Sequence, residues 1–348
     1  MGSGPQKYLL SDEESRRVFE TEIVRDELEH LQGSGHVNDG LQPLAVILVG
    51  QTGAGKTRTA PALKEALSNI NRTPAHFIAD TYKTYHPEYA NIIKEKPELA
   101  SPATGPDARK WLEMACQYAI QHRIDCLVES ACRHPDDFCS LAQAFHDGGY
   151  RVNVAVLAVP EALSLLGILI RYYKNLPEAQ SRNLPLRLTP KKVHDDTYTG
   201  LLTAAAFVDE SDAVDEVIVV RRNNLVAYHN SREGNGGERT WKRPTGTEHA
   251  LDIERVRPLT EDELATAHAD LLTLEDHKDD KGVAASVMDI KDYLSALQAK
   301  GSSMTSFPQL TPLDAAAFVA EGTSEMHASR GPGKLSIEEE IAREEPEA

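Results

Sequence analysis

At 348 residues and 41% hydrophobic content, the chain is long enough for one large domain or two ordinary ones around a real core. A formal net charge of −17 excludes a nucleic-acid binder built on a basic face, and no run of about eighteen apolar residues offers a membrane span. The four cysteines (116, 126, 132 and 139) lack C-x-x-C spacing and read as reduced, buried thiols. With no apolar signal core in the first residues, the expected compartment is the cytoplasm.

In chain order, residues 11–31 predict an amphipathic helix. Ser11 is its N-cap, Glu14 completes a capping box, and Val18, Phe19, Ile23, Leu28 and Leu31 form the apolar stripe. A Gly-rich linker spans 33–40. Residues 44–49 are a continuous apolar run of the kind found in parallel strands buried on both faces. Helices are then expected over 58–70, 106–123, 136–146, 161–173 and 191–207. Strands are expected over 76–79, 126–128, 152–159 and 215–220, the last of these closing the sheet.

Three prolines mark 175–190 as an ordered loop, and Asn223-Asn224 is a hairpin turn into 225–228. Residues 230–250 are Gly- and charge-rich and are expected to be mobile. Two helices follow near 260–275 and 284–299, and a poorly ordered acidic tail runs beyond residue 300. The alternation implies an α/β fold of P-loop NTPase type: a doubly wound, mainly parallel sheet with helices on both faces and helical N- and C-terminal extensions.

Gly50-Gln51-Thr52-Gly53-Ala54-Gly55-Lys56-Thr57 matches G-x-x-x-x-G-K-[ST] at every specified position, after a buried strand and before a helix. Glycines let backbone N–H groups turn inward around phosphates, and the helix N-terminus favours negative charge. Lys56 is placed to reach the β- and γ-phosphates of ATP, and the Thr57 hydroxyl to ligate Mg²⁺. No N-K-x-D guanine motif is present, and signatures of the ABC and AAA classes are absent, which leaves the nucleotide-kinase-like phosphotransferases.

That class needs an acceptor side and cationic groups over the transferred phosphoryl. Asp80 ends the second strand beside the P-loop strand, where it can accept a hydroxyl proton, help hold Mg²⁺ or simply cap the next turn. Glu129, at the end of the third strand, grips substrate hydroxyls or metal-bound water, or is a solvated strand-end charge. Arg133 faces a substrate phosphate or the surface. Arg171 and Arg187, on a helix and the Pro-rich loop after it, suit the equatorial oxygens of a transferring phosphoryl group, each weighed against a structural salt bridge.

These residues resemble the zeta toxin family, whose characterised members are UDP-N-acetylglucosamine kinases. Five pieces match in order between about residues 44 and 228. They are the P-loop, the segment from Asp80 to His86-Pro87, Glu129 with Arg133, Leu169 to Tyr172, and Arg187 to Lys191 followed by His194-Asp195. The resemblance implies that Asp80 is the general base on a sugar 3′-hydroxyl and that Glu129 positions the sugar. It puts Lys56, Arg171 and Arg187 on the γ-phosphate, and Lys83, His86 and Arg133 in the acceptor site. It also implies an antitoxin protein as partner.

Two departures stand out: Lys83 where the family often has Arg, and Ser130-Ala131-Cys132 where it often reads Gly-Thr-Leu. Both lie on the acceptor side. The acceptor is therefore UDP-N-acetylglucosamine or another nucleotide sugar, nucleoside or antibiotic, and a non-catalytic P-loop module is the remaining reading. The chain divides into an N-terminal helix and linker (1–40), a P-loop kinase domain (41–230), a mobile segment and helical extension (231–300) and a disordered acidic tail (301–348).

Overall fold

The six residues of β1, Leu44–Val49, are all buried, and alternate side chains leave the strand in opposite directions. Ala45, Ile47 and Val49 enter one apolar layer, while Leu44, Val46 and Leu48 enter the other. A strand buried on both faces must lie inside a sheet covered on both sides, as the continuous apolar run predicts. These features come from a computed structural model. It describes residues 4–36, 40–182, 186, 188–234, 239–277, 279–301 and 306–320.

The sheet is built from β1, β2 (Ala75–Ile78), β3 (Cys126–Ser130), β4 (Arg151–Leu157), β5 (Glu216–Arg221), β6 (Leu225–Glu233), β7 (Thr240–Trp241) and β8 (Thr311–Pro312). Its order is β2-β3-β1-β4-β5-β6-β7, with β8 paired to β6. Strands β1 to β5 run parallel and β6 is antiparallel to β5. The chain winds from β1 out to β2 and β3 on one side, then to β4 and β5 on the other. The crevice where the winding reverses therefore opens above the C-terminal end of β1.

Helices cover both faces. They are α1 (Asp12–Val18), α2 (Lys56–Asn69), α3 (Ala79–Tyr82), α4 (Tyr89–Glu95), α5 (Pro97–His122), α6 (Pro135–Asp147), α7 (Glu161–Ser181), α8 (Lys191–Glu210), α9 (Thr247–Val256), α10 (Glu261–Glu275), α11 (Lys281–Gly301) and α12 (Ala315–Val319). One layer takes its apolar groups from the N-terminal segment, α5, α6, α8 and α9. The other takes them from α2, α7, α10, α11 and α12. Among the described residues, no helix is long and apolar enough to cross a membrane. The four cysteines are unpaired thiols, three of them buried.

Several elements differ from expectation. The N-terminal helix has the Ser11–Glu14 capping box, but α winding ends at Val18. A wider-wound stretch over Phe19–Leu28 and a tighter one over Glu29–Ser34 continue it. Helix α5 begins at Pro97 and passes through Pro102 and Pro106, because Ala100 and Ala103 bury against Ile92 of α4. Helix α7 likewise continues through Pro177 into the stretch expected as loop.

The sheet does not close at β5. Asn223 and Asn224 both take positive φ (61° and 54°), so the hairpin turn forms and leads into a longer β6. The 230–250 stretch is largely structured. Asn230 Nδ2 donates to the Arg243 carbonyl at 2.9 Å, the Arg232 guanidinium stacks on Trp241, and α9 starts at Thr247. Residues 306–320, expected within a disordered tail, form β8 and α12, whose Phe318 and Val319 are buried against α2. The acidic run near residue 339 lies outside the described residues.

Candidate functional site

The loop between β1 and α2 is shaped by its glycines. Gly53 has φ +83°, and a Cβ there would lie 2.0 Å from the Ser164 carbonyl oxygen of α7. Gly55, at φ +102°, turns the chain into α2. The first N–H groups of α2 lack intrahelical partners, and with the helix dipole they present a cradle for anions. Lys56 Nζ folds back to donate to the Gly50 carbonyl at 2.6 Å. Burial pushes its pKa below the usual ammonium value, while Glu129, Cys132 and Asp80 pull it upward.

A cavity of about 1070 Å³ opens above the loop at the sheet's reversal point. Thr52 to Thr57 line it, as do Asp80, Lys83, Glu129, Arg133 and Arg171. Gly50 and Gln51, expected to bind ATP, lie beneath the loop rather than on the cavity wall. Gln51 is fully buried, its Nε2 donating to the Val159 carbonyl at 2.7 Å.

Asp80 leaves the sheet in the first turn of α3, directly after β2. Its carboxylate is 81% exposed at the cavity mouth and accepts from Lys83 Nζ at 2.5 Å. Exposed as it is, the carboxylate still loses some surrounding water to the atoms of the cavity mouth, which works to raise its pKa. Lys83, then Lys56 and Arg171, outweigh that and hold it below the ordinary carboxylate value. Glu129, near the end of β3, is buried and faces His76 of β2 across 3.0 Å. Arg133 lies 3.6 Å from Asp196 of α8, and Arg171 Nη2 donates to Thr189 Oγ1 at 3.4 Å. Arg187 lies outside the described residues.

His86 belongs elsewhere. It is buried behind the site, where its Nδ1 accepts from the Glu88 N–H at 3.2 Å, which leaves Nε2 to donate to the Tyr8 carbonyl at 3.0 Å. Both ring nitrogens are committed to backbone, so His86 holds the N-terminal segment and is not a substrate ligand. Cys132, at φ +51°, is a wall residue whose thiol burial pushes up to about 12, so it stays protonated.

Sequence reasoning missed three participants. His76 pairs with Glu129 only because β2 and β3 are neighbours. Thr197 of α8 accepts the Thr52 N–H at 3.2 Å. Arg222, in the turn after β5, donates to the carbonyls of Gly53 (3.2 Å) and Leu163 (2.6 Å); burial lowers its pKa to about 10. Local sequence carries no signal for the first or third. Thr197 sits one turn after His194, within reach of the motif already noted.

The family model for zeta toxin matches residues 29–233. The chain belongs to the zeta toxin family. Two curated relatives are Toxin PezT of Streptococcus pneumoniae serotype 4 and Toxin zeta of Enterococcus hirae. The first is 29% identical over 192 residues, 54% of this chain and 72% of the relative. The second is 26% identical over 216 residues, 61% of this chain and 71% of the relative.

A solved structure from work on the PezAT chromosomal toxin–antitoxin system of the pathogen S. pneumoniae has the same fold. It aligns at a TM-score of 0.58 and 18% identity, covering 77% of this chain and 98% of that one. In this zeta toxin family chain, strands β1 to β6 and every cavity-lining residue except Asp270 of α10 lie within the matched span, while α9 to α12 lie after it.

Proposed function

We propose that this chain is an ATP-dependent kinase that transfers the γ-phosphoryl group to a sugar hydroxyl, the 3′-hydroxyl of UDP-N-acetylglucosamine. The observation that carries the reading is one cavity holding a P-loop lysine, a carboxylate kept ionised and a facing guanidinium: Lys56, Asp80 and Arg171. The glycine-shaped loop and the free amides of α2 suit a triphosphate, and the exposed Thr57 hydroxyl at the start of α2 suits the Mg²⁺ that accompanies it. Mg²⁺ neutralises charge on the phosphate oxygens when bound.

Asp80 takes the acceptor's hydroxyl proton as that oxygen bonds to the γ-phosphorus. The bond from the γ-phosphorus to the bridging oxygen breaks, and ADP leaves. Lys56 and Arg171 stabilise charge on the transferring group, with Arg187 added from the sequence, by its guanidinium in the Pro-rich loop and by the family resemblance. Glu129 and Arg133 belong to the acceptor side, and Lys83 tunes the base. Membership of the zeta toxin family supports a cytoplasmic toxin restrained by an antitoxin protein.

A second reading keeps the transfer and changes the acceptor. At the segment from Glu129 to Arg133, Ala131 offers no hydroxyl, and the Ser130 hydroxyl is turned inward to accept the Cys132 N–H at 3.1 Å. A site that hydrogen-bonds a substrate hydroxyl discriminates strongly, so this loop bears on which acceptor fits.

The test is purified protein with ATP, Mg²⁺ and a panel of nucleotide sugars, nucleosides and aminoglycosides, read by product mass. A singly phosphorylated UDP-N-acetylglucosamine supports the first reading. Turnover of another acceptor alone moves the assignment to the second. ATP binding with no product from any acceptor leaves only a non-catalytic module.

A further inference from the structure

His194 has no part in the proposed transfer, yet it is fully buried beside the P-loop. Its Nδ1 lies 3.1 Å from Asp195 Oδ1 and its Nε2 lies 2.8 Å from Ser164 Oγ of α7. Asp195 also accepts from Lys191 Nζ at 3.0 Å through both oxygens. An ionised carboxylate only accepts, so Nδ1 carries the proton and donates to Asp195. Burial keeps the imidazole neutral, which leaves the Nε2 lone pair to accept the Ser164 O–H at 2.8 Å. That is closer than the hydroxyl's other acceptors, the Glu161 and Pro160 carbonyls at the start of its own helix, at 3.0 and 3.3 Å. Ser164 Oγ in turn receives the Gln51 amide at 3.4 Å.

A second route runs through the backbone. The His194 carbonyl accepts the Thr197 hydroxyl at 2.8 Å, and Thr197 Oγ1 accepts the Thr52 N–H. Gly53 completes the set by seating directly on the Ser164 carbonyl. Three successive P-loop residues are thus held by α7 and α8 at the point where His194 joins those helices.

Two other uses of the cluster are excluded. Glu161, His194 and Asp195 are close enough to share a metal ion, but Lys191 Nζ, 3.0 Å from Asp195 and 3.7 Å from Glu161, already supplies the cation. The Ser–His–Asp order resembles a nucleophilic triad, but Ser164 is fully buried and no substrate reaches its hydroxyl.

We infer that His194 is a positioning residue that fixes the P-loop against α7 and thereby sets the aim of Arg171. Ser164 and Arg171 are seven residues apart on α7. That is two turns, about 10.5 Å, on the same helical face. The bond that sets the rotation of α7 at Ser164 therefore sets the direction in which Arg171 meets the cavity. This consequence rests on the cavity being a phosphoryl-transfer site.

Four variants test it: His194→Leu, His194→Gln, Ser164→Ala and the His194→Leu/Ser164→Ala pair. Hydrogen exchange of the amides at 51–53 requires no turnover and is the first readout. It should be faster in His194→Leu and Ser164→Ala, and close to wild type in His194→Gln, whose amide oxygen can replace the Nε2 acceptor. In turnover per folded molecule, His194→Leu should lower kcat by on the order of 10²-fold while changing the KM for ATP only a few-fold.

Ser164→Ala should behave alike, and the double variant should be no worse than either single one, because both break one chain. Wild-type exchange and wild-type kcat in His194→Leu, or additive losses in the pair, would overturn the inference. If His194→Leu does not fold, Ser164→Ala carries both readouts. If wild type transfers nothing to any acceptor, the kinase reading fails and exchange alone still decides the role of His194.

Discussion

Lys83 ties Asp80 to α5, donating to the carboxylate at 2.5 Å and to Ser101 Oγ at 3.1 Å. A general base must be unprotonated, and Lys83 is the strongest influence keeping this one so against the partial loss of water at the cavity mouth. The sign follows. A depressed pKa keeps the base competent as pH falls, and activity is lost only when pH drops through that low value. Lys83→Met removes the largest lowering influence, so the acidic limb of kcat/KM should move to higher pH. A pH–rate profile of both proteins checks this; coincident limbs would show that Lys83 does not tune the base.

Asp80 and Lys56 act on different partners, so their losses should differ in kind. Asp80→Asn keeps shape and hydrogen bonding but cannot take a proton. It is expected to cost about 10²–10⁴-fold in transfer and to leave ATP affinity within a few-fold. Lys56→Ala should weaken both, because Lys56 belongs to the phosphate cradle. Titration calorimetry with ATP beside turnover separates them, and equal affinity losses would refute the division.

Gly53 is the tightest point of the loop. Any side chain there meets the Ser164 carbonyl at 2.0 Å, backbone against which nothing flexible can give, and its φ of +83° is strained for any residue with a Cβ. Gly53→Ala should fold, since β1 and both apolar layers are untouched, but the loop must move off α7. ATP affinity is expected to fall by more than about tenfold, the loss of roughly one phosphate-cradle hydrogen bond. Calorimetry with ATP reads it directly. An unchanged affinity would mean that the loop tolerates displacement from α7.

How much of this was legible in the sequence depends on the range of the forces involved. Leu44 to Thr57 announces a buried strand, a phosphate loop and a helix, because burial on both faces and glycine turns leave local marks. The Ser11–Glu14 capping box and the turn at Asn223-Asn224 are equally local. Helix α9 is different. Its first amides are capped from outside, Thr247 N–H and Glu248 N–H donating to Asp209 of α8 at 3.0 and 3.1 Å. No local pattern reports a cap that far away.

Helix α5 starts at Pro97 rather than 106, and α7 runs on through Pro177 where a proline-marked loop was expected, because tertiary packing that overrides propensity is invisible along the chain. Of the cavity-lining residues, Lys56 lies in the motif and Asp80 and Glu129 at strand ends, which leave local marks. Arg171 stands out by its place near the end of an apolar helical stretch. His86 was misplaced because its Nε2 serves the Tyr8 carbonyl, which only the folded N-terminus brings near.

Residues 306–320 offer the clearest test of a part that was not legible. Phe318 is 3% exposed, its carbonyl accepts from Asn153 Nδ2 at 2.5 Å, and α12 rests on α2, the helix that starts at Lys56. No residue of this segment lines the cavity. Phe318→Ala leaves a void beneath α2 and should cost about 3–5 kcal/mol, the usual range for a buried Phe truncation. With an unfolding entropy of about 2.1 cal/mol/K per residue, a chain of 348 residues loses about 1.4 °C per kcal/mol, so Tm should fall by about 4–7 °C. Because the cavity is lined by other elements, ATP affinity per folded molecule should stay within about twofold, a difference of under 0.5 kcal/mol. Calorimetric melting with ATP titration on the same sample checks both halves. A Tm within about 1 °C of wild type would show that the segment is not docked, and a large loss of affinity at unchanged Tm would show that it acts on the P-loop rather than on the core.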